Sequence, residues 1–127
     1  MYNALNLSII EGNLVRDPEL FYTKNGSALC KIDVAVSASR KVDDKYVKEV
    51  SYISVNTWNK VAEASAKYLK KGSAIRARGR LKQSTWLDKN GKKNYKIFVD
   101  ASNIDFLSSG GKNREKPAET ETEKVPF

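Results

Sequence analysis

Apolar and polar residues alternate along much of the first hundred positions, which is the pattern of β-strands that bury one face. The alternation is clearest at residues 28–36, ALCKIDVAV, and at residues 52–58, YISVNTW. It returns at residues 73–87 and again at residues 94–101. The spacing predicts a strand in each of these four segments.

Turn signals separate the alternating segments. Asp17-Pro18 interrupts the chain after a first short strand, and the pairs Asn25-Gly26 and Asn90-Gly91 favour tight hairpin turns. Residues 38–47, ASRKVDDKYV, are polar and charged, and we expect them to form an extended loop. Most neighbouring strands are therefore predicted to be arms of hairpins.

One segment changes to helical spacing. Residues 59–71, NKVAEASAKYLKK, are rich in alanine and end in lysines, which suit the negative end of a helix. Asn59 is a candidate N-cap, and Gly72 suits the C′ position. The buried side is predicted to carry Val61, Ser65 and Tyr68 or Leu69.

Many short strands with a single helix in the middle are typical of a small barrel. The pattern predicts an all-β fold, a five-stranded Greek-key OB-fold barrel with one α-helix, over residues 1–107. From residue 108 the composition changes, and SSGGKNREKPAETETEK has no aliphatic residue larger than alanine. Residues 108–127 are predicted to be a disordered tail, because they cannot bury enough apolar surface to fold alone.

Two predicted strands carry unusual side chains on the face that does not belong to the core. In YISVNTW, Tyr52 and Trp58 share a face, and a serine and an asparagine lie between them. On the strand that begins near residue 74, four cations and then a tryptophan share one face: Arg76, Arg78, Arg80, Lys82 and Trp86. Lys60, shortly after Trp58, can add to this charge.

Aromatic and basic side chains on one face suit single-stranded nucleic acid. Rings provide a surface on which bases stack, at about 1–3 kcal/mol per base, and cations contact the phosphates. The alternatives are that the aromatic residues pack in an interface, under the helix or across strands. The arginines could also form a solvated edge that discourages aggregation.

The charge distribution points to the same kind of partner. The chain has a formal net charge of +8; residues 1–107 hold 19 Lys or Arg against 11 Asp or Glu, whereas residues 108–127 hold four of each. The excess positive charge therefore belongs to the predicted barrel, which favours an anionic partner.

The residue inventory disfavours an enzyme. The chain has no histidine and a single cysteine, Cys30, which is expected to be a core residue. The adjacent Asp43 and Asp44 lie in a polar segment, where a solvated turn is the simpler interpretation. We expect no catalytic residues, no metal and no cofactor. With no signal peptide and no apolar run near 20 residues, we expect a cytoplasmic protein without membrane contact.

Two long motifs carry a resemblance to a known family. The stretches EGNLVRDPELFYTKNGSALCKIDVAVS and KVAEASAKYLKKGSAIRARGRLKQSTW resemble the bacterial single-stranded DNA-binding protein family. The resemblance covers residues 3–107 and the last three residues. It implies an OB-fold core that assembles as a homotetramer. It also implies binding and protection of single-stranded DNA in replication, recombination and repair, at the nucleoid.

The resemblance also implies roles for individual residues. The family's stacking positions carry over to Tyr52, where many members have tryptophan, to Trp58, where many have phenylalanine, and to Trp86. Arg40 stands where a further aromatic residue is common, and a guanidinium can stack on a base as well as contact a phosphate. The four cations from Arg76 to Lys82, and Lys60, are expected to contact phosphates.

The end of the chain resembles the tip with which the family docks on replication and repair proteins. Val125, Pro126 and Phe127 match that tip, whereas Lys124 lies where an acidic residue is expected. Two alternatives stay open: a primosome-type module and an RNA-binding OB-fold module. The aromatic and basic pattern does not distinguish DNA from RNA, because readout of the 2′-hydroxyl cannot be seen in a sequence.

Overall fold

A computed structural model describes residues 1–107, and residues 108–127 lie outside this range, so the predicted tail and its tip are not described. The described part contains six strands and one helix. In chain order they are β1 (Ser8–Leu14), β2 (Glu19–Tyr22), β3 (Ala28–Val42), β4 (Lys45–Trp58), α1 (Asn59–Tyr68), β5 (Ala74–Leu87) and β6 (Lys93–Phe106).

The strands close into a barrel. The sheet runs in the order β1-β5-β6-β4-β3-β2, and β1 pairs a second time, with β3, through Asn13 opposite Ala35 and Leu14 opposite Val34. Five strands therefore form a closed ring, and the short β2 is added at the outer edge of β3. The closed five-stranded barrel with one helix confirms the predicted OB-fold class.

The predicted loop at residues 38–47 is wrong, because β3 and β4 continue through it as a two-stranded ribbon. Its turn consists of Asp43 and Asp44, with φ values of 49° and 64°. Two successive residues with positive φ match the right-handed twist of a hairpin, and aspartate tolerates this conformation better than most residues. Polar composition indicated a loop here only because the ribbon extends beyond the core and is exposed on both faces.

Both Asn-Gly pairs form turns, as predicted. Gly26 and Gly91 have φ values of 84° and 78°. The second turn is also held by Asp88, whose Oδ1 accepts hydrogen bonds from the backbone N–H groups of Asn90 and Lys92, each at 2.9 Å. The hydrogen bond from Lys92, followed by one from the Asn94 side chain and then that from Asn90, lowers the pKa of Asp88.

The core is formed by the inward residues of β1 and of β3 to β6, with the helix packed against it. Its largest fully buried apolar side chains are Ile32, Val34, Val55, Ile75 and Val99. Cys30 is fully buried among them, as predicted, and burial raises the pKa of its thiol to about 11. The thiol is therefore protonated at neutral pH.

The helix is shorter than predicted, and its ends differ from the prediction. It ends at Tyr68, with Leu69 as the C-cap, so Gly72 is not at C′. Gly72 instead takes a φ of 93° in the following turn, where its N–H donates to the carbonyl of Leu14. Asn59 does not cap the helix through its side chain. It has a φ of 59° where β4 is followed by α1, a conformation that asparagine tolerates.

Gly79 allows a close approach of β5 to β6. It is buried beside the irregularity in their pairing at Arg78 and Gly79. A Cβ at this position would collide with the carbonyl oxygen of Asp100 and with the Cα of Ala101. Both are backbone atoms, which cannot move aside as a flexible side chain does.

We predict that Gly79→Ala lowers the free energy of unfolding by about 2–3 kcal/mol, as overpacking does. Urea denaturation measures the change. Thr85→Ala on the exposed part of the same strand is the control and should cost less than about 1 kcal/mol. Equal stability of Gly79→Ala and the parent protein would contradict the close approach of the two strands.

Candidate nucleic-acid interface

The strand register places side chains of four long strands on one outward surface, which we call the outer face. Lys31 on β3 lies opposite Asn56 on β4, Asn56 opposite Asp100 on β6, and Asp100 opposite Arg80 on β5. Residues in register point to the same side of a sheet. The aromatic positions of β4 and the cationic positions of β5, which are distant in sequence, therefore share this face.

Tyr52 and Trp58 lie on the outer face with their rings accessible. Tyr52 is 73% exposed and Trp58 is 39% exposed, whereas Val55 and Thr57 between them are fully buried. The predicted division of YISVNTW into an inner and an outer face is therefore confirmed. Tyr52 lies opposite the small Ala35, which leaves room above the strand for a flat ligand.

The polar residues between the two rings are also accounted for. The Ser54 hydroxyl donates to Oδ1 of Asp33 at 3.1 Å, and Asp33 lies opposite Ser54 on β3. Asp33 also forms an ion pair with Arg16 at 3.5 Å. The surface between the rings is thus polar and held in place by hydrogen bonds.

Trp86 lies further along β5, on the ribbon that β5 and β6 form beyond the barrel. It is 48% exposed, opposite Asn94, and it has the strand parity of Arg80 and Lys82, as predicted. Unbroken pairing with β6 from Gly79 to Leu87 connects this ribbon to the barrel wall.

The five predicted phosphate contacts differ in their electrostatic surroundings. Arg76 is held by Glu11 at 2.6 Å and by Asp105 at 3.6 Å, and Lys82 lies 3.5 Å from Asp100. In residues 1–107, no carboxylate forms an ion pair with the other three, Arg78, Arg80 and Lys60. Lys60 is exposed in the first turn of α1.

Arg40 is not brought together with the other predicted residues. It lies on the β3–β4 ribbon at the parity of Val34 and Val36, opposite to that of the outer face. Its Nε is 2.7 Å from Oε2 of Glu49. A role for Arg40 in stacking stays a prediction, and it requires this ion pair to open.

The structure adds two exposed aromatic residues to the outer face that the sequence patterns did not single out. Phe21 on β2 lies opposite Leu29, which lies opposite Trp58, and Phe21 is 45% exposed. Tyr46 has the parity of Tyr52, is 76% exposed and lines a shallow groove of about 410 Å³ on the β3–β4 ribbon. β2 is too short for its alternation to be recognised, and Tyr46 was assigned to a loop.

Three other predictions concern the docking tip, metal binding and membrane contact. The predicted docking residues Val125, Pro126 and Phe127 lie outside them. Within residues 1–107, no group of three His, Cys, Asp or Glu side chains is placed to hold a metal ion. No helix in this range is long and apolar enough to cross a membrane.

A closed five-stranded barrel with rings and cations exposed on one face defines the class of OB-fold nucleic-acid-binding proteins. A model of the single-strand binding protein family matches residues 5–107. The chain therefore belongs to the single-strand binding protein family, as its motifs predicted.

Curated relatives agree with this assignment. The chain is 35% identical to a protein named single-stranded DNA-binding protein from Treponema pallidum, over 95% of this chain and 69% of the relative. It is 42% identical to the protein of the same name from Wolinella succinogenes, over 87% of this chain and 67% of the relative. It is 38% identical to the protein of the same name from Helicobacter hepaticus, over 92% of this chain and 68% of the relative.

The ion pairs of Arg76 lead to a prediction about stability. Arg76→Gln should lower the free energy of unfolding by about 0.5–1 kcal/mol at low salt, because a half-exposed pair contributes little more than this. At about 1 M salt the difference should shrink, since the pair is screened. Thermal unfolding at the two salt concentrations measures this.

Arg78→Gln is the matched control, because Arg78 has no ion pair in the described part of the chain. This change should cause no loss at either salt concentration. If both variants lost the same stability, the two arginines would not differ in the way that the structure indicates.

Proposed function

We propose that the protein binds and protects single-stranded DNA without sequence preference, in replication, recombination and repair. The observation that carries this proposal is the convergence of Tyr52, Trp58 and Arg80 on one face of a closed barrel that needs none of them in its core. A flat base and a charged backbone require these two kinds of contact side by side. Names of the family and of its curated relatives support the same ligand.

Stacking explains binding without sequence preference. Every base has a π-face, so the rings of Tyr52, Trp58 and Trp86 can accept any base. Duplex DNA keeps its bases paired and stacked inside, so these rings would be accessible only to a single strand. A strand held in this way is kept from pairing again and from nucleases.

The cations on the outer face would contribute unequally. Arg78 and Arg80 can contact phosphates directly, because no described carboxylate neutralises them. Arg76 and Lys82 would first have to exchange acidic partners for phosphate. Binding should weaken as salt rises, because each neutralised phosphate releases counterions.

Two further candidate functions are less well supported. An RNA-binding module would use the same rings and cations, and direct competition between oligo(dT) and oligo(U) of equal length decides between them. A primosome-type module would bind the same ligand, and the family tip Val-Pro-Phe favours the DNA-protection role over it. We propose no enzymatic activity for the chain and no cofactor.

We propose a homotetramer in the cytoplasm, associated with the nucleoid, with residues 1–107 as the DNA-binding domain. Support for assembly comes from the start of the chain, where Leu5, Leu7 and Ile9 are 93%, 63% and 53% exposed. Apolar side chains in such a row favour an interface between copies. A mass measurement in solution by light scattering tests the number of copies.

We also propose that residues 108–127 are a tail whose tip, Val125 to Phe127, recruits replication and repair proteins. The ring of Phe127, next to Val125 and Pro126, offers an apolar contact that a partner can recognise. Lys124 reduces the negative charge beside the tip, so docking should be weaker than that of a fully acidic tail.

We predict that Trp58→Ala weakens binding to oligo(dT) by about 1–3 kcal/mol, through loss of one stacked base. Fluorescence anisotropy of a labelled oligonucleotide measures the affinity. Tyr68→Ala removes a ring from the helix that is more exposed than Trp58, at 60% against 39%, and should leave affinity unchanged. Unchanged affinity in Trp58→Ala would remove this residue from the stacking surface.

We predict that Phe127→Ala leaves the affinity for oligo(dT) nearly intact but abolishes recovery of replication and repair proteins in a pull-down on immobilised single strands. Thr120→Ala, in the same tail, is the control and should retain recovery. Equal loss of DNA binding and of partner recovery would contradict the division into a DNA-binding domain and a docking tip.

A further inference from the structure

Phe21 is an exposed ring on a strand whose other side is attached to the helix. In β2, Leu20 and Tyr22 have the parity of the core residues opposite them, Cys30 and Ala28. The hydroxyl of Tyr22 donates to Oε2 of Glu63 on α1 at 3.2 Å. This contact holds the inner side of β2 against the helix, so Phe21, at the alternate position, is directed to the outer face.

The ring of Phe21 lies in register with the stacking residue Trp58. Phe21 is opposite Leu29, and Leu29 is opposite Trp58, so the three side chains form one row across β2, β3 and β4. Two strand spacings separate the ends of this row, about 10 Å between Cα atoms. Leu29 between them is half-buried and apolar, so nothing charged interrupts the row.

A cation lies beside the ring. Nζ of Lys31 is 5.4 Å from the centroid of the Phe21 ring. Lys31 is exposed, and in residues 1–107 it forms no ion pair with a carboxylate. Ring and ammonium together offer a flat apolar surface and a free positive charge, which are the two contacts that one nucleotide needs.

We propose that Phe21 and Lys31 form an additional nucleotide subsite, in which a base stacks on Phe21 and a phosphate contacts Lys31. The subsite continues the row of Trp58 and extends the path of the strand from β4 across β3 to β2. It rests on the proposed function, because it is a further part of the same surface for single-stranded DNA.

The test compares Phe21→Leu, which removes the ring but keeps an apolar side chain, with Tyr68→Leu. Tyr68 is a matched control, since it is exposed and has a lysine Nζ 5.3 Å from its ring centroid, but it lies on the helix. Phe21→Leu should weaken binding to a long oligo(dT) about 5- to 30-fold, whereas Tyr68→Leu should change it less than twofold. Phe21→Tyr keeps a ring and should restore affinity.

A fluorescence experiment reports on the position directly. Phe21→Trp is made together with Trp58→Phe and Trp86→Phe, so that the only tryptophan is at position 21. Oligo(dT) should quench its fluorescence, and a duplex of equal length should not. Absence of quenching at saturating oligo(dT) would overturn the proposal.

The remaining outcomes separate the subsite from the function on which it rests. Phe21→Leu could bind oligo(dT) as tightly as the parent protein while Trp58→Ala binds it more weakly. The stacking surface would then end at Trp58, and only the proposed subsite would be overturned. If the parent protein bound duplex DNA as tightly as single strands, the proposed function itself would be overturned. A changed assembly mass in Phe21→Leu would assign Phe21 to a protein interface instead, since β2 is a sheet edge.

Discussion

The pairing of β1 with both β5 and β3 is the constraint on which the rest of the structure depends. It closes the sheet at Leu14 and Val34, and at Gly12 a side chain would collide with the carbonyl of Ala35. In a closed barrel each strand has one side toward the interior and one toward the outside. Residues excluded from the small core are therefore displayed on a continuous outer face, whatever their position in the sequence.

This display determines the chemistry of the surface. The row from Lys31 through Asn56 and Asp100 to Arg80 brings cations of distant strands next to the rings of β4. Acidic residues within the face limit the charge, since Asp100 pairs with Lys82 and Glu11 with Arg76. The free positive charge is therefore concentrated at a few positions near the rings, and stacking and phosphate contacts can act on the same strand.

Alternation was sufficient to predict the barrel, the inner and outer faces of β4, and the common parity of Arg80 and Trp86, because a half-buried strand must alternate. Alternation did not predict a strand where neither face is buried or where the strand is very short. The β3–β4 ribbon is exposed on both faces, so its composition resembled that of a loop and hid Tyr46. β2 has only four residues, so the orientation of Phe21 became clear only from its register with Leu29. Ion pairs such as Arg40 with Glu49 depend on rotamers, which a sequence does not specify.

Tryptophan fluorescence tests the central claim most directly, since Trp58 and Trp86 are the only two tryptophans and both are assigned to the stacking surface. The protein would be titrated with an unstructured oligo(dT) and with a duplex of equal length, at low and moderate salt. Stacking predicts strong quenching by the single strand alone, saturating at several nucleotides per protomer. Equal and weak binding of both ligands, abolished by moderate salt, would contradict it and would mean that the outer face recognises only phosphate.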